Sequence, residues 1–108
     1  MKHTVHLATQ FGPRLCDGEK AYSFRVQDLD PHMVICEEVV LDFTGVRATN
    51  SSFTNALICG IIVDHGQEVL NKLVFKGCLP TVRVLVQGAV DLGISKIEEQ
   101  HALLKGAT

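Results

Sequence analysis

The 108-residue chain has no Trp, one Tyr and five Phe, too few rings to build a base-stacking platform for single-stranded nucleic acid. Positive charge is not in excess either. Ten Lys and Arg against twelve Asp and Glu give a net charge of -2, so phosphate neutralisation, the main source of nucleic-acid affinity, is not on offer. No apolar run reaches the roughly 18 residues that a membrane span needs. Residues Met1–His6 carry no apolar signal segment, and the expected compartment is the cytoplasm. Cys16, Cys36, Cys59 and Cys78 form no Cys-x-x-Cys pair and read as free buried thiols. His3 and His6 fall on opposite faces of a predicted strand and do not share a metal simply; neither a metal nor a cofactor is expected. Dinucleotide, P-loop, His-Glu-x-x-His, Gly-x-Ser-x-Gly and EF-hand patterns are all missing. The adjacent pairs Glu37-Glu38 and Glu98-Glu99 read as solvated edges rather than as acid–base partners.

What is present suits a single folded domain over residues 1–108. Hydrophobic residues make up 46% and charged residues 20%, enough apolar surface to offset chain entropy. Thr4–Ala8 reads as a strand, followed by turn chemistry at Phe11–Arg14. A helix starts near Gly18 behind Asp17 as N-cap. Tyr22, Val26, Leu29 and Met33 form its apolar stripe, with Ala21 and Arg25 alongside, and Asp30-Pro31 interrupts or bends it. Val39–Phe43 is the strongest strand, apolar on both faces and therefore central. A helix over 52–65 stops at Gly66, and a strand over Lys72–Lys76 closes at Gly77. Pro80 opens a helix with Val82, Leu85, Val86, Ala89 and Val90 on its apolar face and Gly93 after its end. Ser95 and Glu98 form a capping box for a separate last helix ending near Lys105. This alternation predicts an α/β fold: a mixed, partly parallel sheet of about four strands with helices packed against it.

The informative stretch is Leu41–Ile58. A covered strand ends in Asp42, a turn follows, and Ser51 and Ser52 stand at the start of an apolar helix, where free backbone N–H groups and the helix dipole favour an anion. Here the chain resembles the STAS domains of bacterial anti-sigma factor antagonists, in which a strand leads to a serine pair at a helix N-terminus and the second serine is phosphorylated. Leu41, Asp42 and Val46 match that strand pattern, and Ser51-Ser52 match the serine pair. Asn50 replaces the usual acidic residue and Phe53 the usual glycine. The pattern from Leu41 to Val46, with Ser52-Phe53 following, is still more similar to an uncharacterised bacterial group of STAS-like domains. The resemblance implies a non-catalytic regulatory module switched by phosphorylation of Ser52, or of Ser51. It also implies a partner protein, a serine-kinase ATPase of the histidine-kinase-like type. The partner surface would comprise Arg47, Asn50, Phe53, Thr54, Asn55 and Ile58.

Simpler roles compete for the same residues. Ser51 or Ser52 can be the N-cap, worth about 1 kcal/mol. Asp42 can close an Asx-turn onto Thr44 or Gly45. The helix over 52–65 is apolar nearly all round, which points either to a protein partner or homodimer or to cover from the rest of the chain. A small thiol-dependent enzyme using Cys78 or Cys59 with His65, or a small-ligand-binding protein, is the alternative from another class; it requires a low-pKa thiol.

Overall fold

The computed structural model describes residues 1–106. Strand β1 (Lys2–His6) leads directly into a short helix α1 (Leu7–Phe11), so the first strand lies two residues earlier than the pattern predicts. Gly12, at φ 88°, ends α1, and β2 (Arg14–Leu15) follows. Helix α2 covers 18–35, β3 is Glu38–Asp42 and β4 is Ala48–Thr49. Helix α3 covers 51–65, a 3-10 turn occupies Gln67–Asn71, and β5 is Leu73–Lys76. Helix α4 runs over Pro80–Gly106.

The architecture is α/β, but among the described residues every strand pairing is parallel rather than mixed. One sheet has three strands in the order β1-β3-β5, and a second pairs β2 with β4. As predicted, β3 is central. Val39 and Leu41 join Val5, Leu73 and the helices in the core, while Val40 and Asp42 are buried on the other face. On that second face the flanking Thr4, His6, Val74 and Lys76 are exposed.

Helix α2 begins as expected: the Asp17 carboxylate accepts from the Glu19 and Lys20 N–H groups at 3.0 and 3.2 Å. Pro31 does not break it. A π turn over Arg25–Leu29 ends two residues before the proline, and the widened turn accommodates a ring that would clash with the carbonyl four residues back. The same turn explains a shift in the buried stripe. Ala21, Arg25, Leu29 and Met33 are buried, spaced by four residues throughout, whereas Tyr22 and Val26 are exposed. A four-residue repeat drifts about 40° per step around a regular α-helix; the wider turn absorbs the drift.

Helix α3 is widened in the same way, by a π turn over Asn55–Cys59. Phe53, Leu57, Ile58, Cys59, Ile61 and Ile62 are all buried. The cover comes from the chain itself, because α3 packs against both α2 and α4. The apolar side chains of this helix are thus spent on contacts within the chain.

The last third of the chain departs most from its pattern. Residues 80–106 form one helix, not two. Val82, Val86 and Ala89 are buried and Leu85 and Val90 half-buried, as the apolar face predicts, and the stripe continues through buried Gly93 to half-buried Ile97. Gly93 is a contact point: a Cβ there would come within 2.9 Å of the Ile62 side chain. Its missing side chain lets α4 lie close on α3. Among the described residues, no helix is long and apolar enough to cross a membrane.

Candidate functional site at the sheet-to-helix junction

Strand β3 ends in Asp42, whose carboxylate accepts the Thr44 N–H at 2.9 Å, the Asx-turn that the sequence suggests. In register, Asp42 sits between His6 of β1 and Lys76 of β5. Hydrogen bonding by the Thr44 side chain and N–H, then the charges of Lys76 and His6, hold its carboxyl below the usual aspartate range against the opposing effect of burial. The chain then turns through Gly45, at φ 88°, a left-handed conformation that favours glycine. It next pairs β4 with β2.

That small parallel pairing decides how α3 starts. The Thr49 hydroxyl donates to the Leu15 carbonyl at 2.8 Å, and the Asn50 side-chain NH2 donates to the Cys16 carbonyl at 3.1 Å. Asn50 Oδ1 accepts the Phe53 N–H at 2.9 Å. Asn50, not Ser51 or Ser52, is thus the N-cap. Both serines occupy the first turn with exposed side chains, outside the capping interaction. Ser52 lines an open hollow with Cys16, Asp17, Glu19 and Tyr22. Its hydroxyl lies against Gly18, where a Cβ would collide with it; glycine at the first position of α2 is what allows the two helix starts to meet.

The remaining partner-surface residues divide by burial. Phe53, Thr54 and Ile58 are each no more than 1% exposed, which removes them from any direct contact surface. Phe53 meets the Phe11 ring edge-on at 5.1 Å, and Phe11 meets Phe24 at 5.3 Å. The Thr54 hydroxyl donates to the Asn50 carbonyl at 3.2 Å. Asn50 and Asn55 are half-buried and Arg47 is exposed. Arg47 does not share the Ser52 hollow; it lines a different one, with Thr44, Val46, Gly77 and Leu79 beyond the carboxyl ends of β3 and β5.

Arg25 is a buried charge that the sequence pattern left as a neighbour of the apolar stripe. Its guanidinium pairs with Asp64 at 2.7 Å and Asp30 at 3.2 Å. The π turn sends the Gly60 N–H to the Asn55 carbonyl instead of to Ala56. Arg25 Nε donates to that Ala56 carbonyl at 3.0 Å. A buried arginine and an irregular helix therefore satisfy each other. Arginine at an apolar stripe position on one helix and acidic residues elsewhere are a usable sequence signal, but only contact identifies the carbonyl.

The thiol alternative requires a low-pKa cysteine beside a histidine. Burial pushes the Cys78 thiol up, outweighing the nearby Arg83, which disfavours the thiolate that this chemistry needs. The four thiols are free, but only Cys36 and Cys59 are buried as expected; Cys78 is half-buried and Cys16 is exposed. His65 Nε2 is held by Asp30 Oδ1 at 2.9 Å. Elsewhere, His3 of β1 meets Asp28 and His32 of α2, the rings of the two histidines being stacked.

A family model described as a STAS-like domain of unknown function matches residues 26–83, more than half of the chain. The matched stretch runs from the π turn of α2 through β3, the serine pair, α3 and β5 to the first turn of α4. Neither curated proteins nor solved structures yield a match. With its parallel sheet, its Asp42 turn and its serine pair at the start of a covered helix, the chain belongs to this STAS-like domain family.

Proposed function

We propose that the chain is a regulatory protein-binding module without catalysis of its own, switched by phosphorylation of Ser52 by a histidine-kinase-like ATPase partner. The observation that carries this reading is the exposure of both serine side chains in the first turn of a 15-residue helix whose cap is supplied by Asn50. Neither hydroxyl is needed to start α3, so either is free for modification.

The surroundings of Ser52 support a switch that acts by displacement. A phosphate brings about -1.5 to -2 units of charge. The helix start favours it by roughly 0.3–1 kcal/mol, but Asp17 and Glu19 line the same hollow and repel it. Ser52 Oγ already abuts Gly18, so the added group must turn away or push the start of α2 aside. Either movement reshapes the surface formed by Cys16, Tyr22 and Ser52.

Co-expression with candidate ATPases followed by intact-mass analysis tests the modification. One added phosphate is expected on the wild type and none on Ser52→Ala. Ser52→Asp should weaken capture of the ATPase by at least several-fold. A phosphate that persists on Ser52→Ala, or capture indifferent to Ser52→Asp, overturns the assignment of the switch to Ser52.

A further inference from the structure

A second cluster of reactive side chains lies away from the serine junction, where the edge strand β1 meets α2. Asp28 and His32 are four residues apart on α2 and face the same way; His3 reaches them from β1. One nitrogen of each imidazole and one carboxylate oxygen of Asp28 lie within 4.8 Å of one another, and all three residues are half-buried. We propose that His3, Asp28 and His32 form a binding site for a divalent transition-metal ion of the zinc class.

The donor set has the right chemistry. Two neutral imidazoles and one carboxylate suit zinc and its first-row neighbours, and three protein ligands leave a coordination position for water or another ligand. The net charge of such a set is negative, which favours a cation. His3 Nε2 and Asp28 Oδ2 are 3.3 Å apart, close to the spacing of about 3.4 Å between two ligands held at roughly 2.0–2.1 Å by a tetrahedral ion. The metal takes the place of the proton that now lies between them.

His32 carries the supporting bond that ligating histidines usually make. Its Nδ1 lies 2.7 Å from the Asp28 carbonyl oxygen, which can only accept, so the ring proton sits on Nδ1 and the lone pair on Nε2. The two rings are stacked at 3.6 Å and 5°. Parallel planes cannot both contain one ion, so loading requires one ring to leave the stack. His32 is pinned by its carbonyl bond, so the His3 ring tilts out of the stack about its Nε2, which stays beside Asp28 Oδ2. A hollow of about 560 Å³ opens beside His3 and Asp28, with polar Thr9, Gln10 and Gln27 in its wall. It gives the open coordination position access to solvent or a small ligand.

The test is a Co²⁺ titration of the purified, tag-free chain near neutral pH, followed by displacement with Zn²⁺. A visible cobalt band saturating at one equivalent, and lost on adding zinc, is the expected result. Asp28→Asn and His3→Gln should each weaken binding by at least about tenfold. His101→Gln, at an exposed position on α4, should leave it unchanged. Circular dichroism establishes that the variants fold; if Asp28→Asn does not, His3→Gln on the edge strand decides alone. No saturable band, affinity untouched by His3→Gln, or equal loss in His101→Gln overturns the proposal.

Discussion

Asn50, Ser51 and Ser52 show how one residue acquires its role from a distant one. All three are good N-cap residues, and they stand in a row. The choice falls on Asn50 because its amide does two things at once, bonding the Phe53 N–H and the Cys16 carbonyl. The second bond crosses 34 residues of sequence, so no local pattern contains it. Asp17 is different: its cap bonds lie two and three residues away, and the sequence identifies it directly. Asp42 is local too, through Thr44, and its lowered pKa links it to acid stability. A carboxyl whose folded pKa lies below its unfolded value contributes stability that is fully present above the unfolded pKa and disappears as pH falls through the folded one. Denaturant unfolding should therefore show wild-type stability declining as the pH is lowered below the ordinary aspartate pKa of 3.8. Asp42→Asn should be less stable by about 1 kcal/mol at neutral pH, with a smaller decline across the acid window. An identical acid decline in both proteins would remove Asp42 as its source.

Between elements, glycines and π turns govern the contacts. Gly93 looks like a helix stop when read beside the capping pair Ser95 and Glu98, yet α4 continues through it. A helix supported by a packed stripe tolerates one glycine, since the propensity loss is only about 1 kcal/mol, and here the small residue lets Ile62 approach. Gly88, on the exposed side of the same helix, has nothing within 4 Å of a would-be Cβ. Thermal unfolding should separate the two positions. Gly88→Ala is expected to stabilise the protein by about 0.5–1 kcal/mol, while Gly93→Ala lowers stability because its methyl must displace Ile62. Stabilisation by both changes would contradict the close packing of α3 on α4. The π turns were not legible for a related reason. Periodicity assumes a constant 3.6 residues per turn, whereas α2 repeats every four residues to keep Ala21, Arg25, Leu29 and Met33 inside. Pro31 signals an irregularity, and the structure resolves it as a widened turn rather than an interruption.

Across the whole molecule, the helices share the work unequally. Helix α4 has 27 residues and is about 40 Å long, more than either of the shorter molecular dimensions of 30 and 23 Å. Its first half packs on α3; beyond Ile97, residues 98–104 are exposed. A chain ending at Glu98 should unfold within about 1 kcal/mol of the full-length protein, because little apolar surface is withdrawn from the core. A larger loss, measured by urea denaturation, would mean that the last turns make contacts absent from this structure. The apolar helix at 51–65 carries the opposite lesson. Its composition leaves a partner and an internal cover equally open, and the molecule answers with α2 and α4 on its sides.

The α/β class, the central strand, the Asp17 start of α2, the Asp42 turn and the apolar face of α4 were all legible in the order of the residues. Each depends on residues within a few positions of one another, where periodicity and capping chemistry act. Packing between distant segments made Asn50 the cap of α3, left Ser51 and Ser52 exposed, and turned Phe53, Thr54 and Ile58 inward. It alone also gathered Arg25 with Asp30 and Asp64, and His3 with Asp28 and His32. These outcomes depend on bonds and contacts between segments far apart in the chain, which become neighbours only when the parallel strands and the helices beside them have packed.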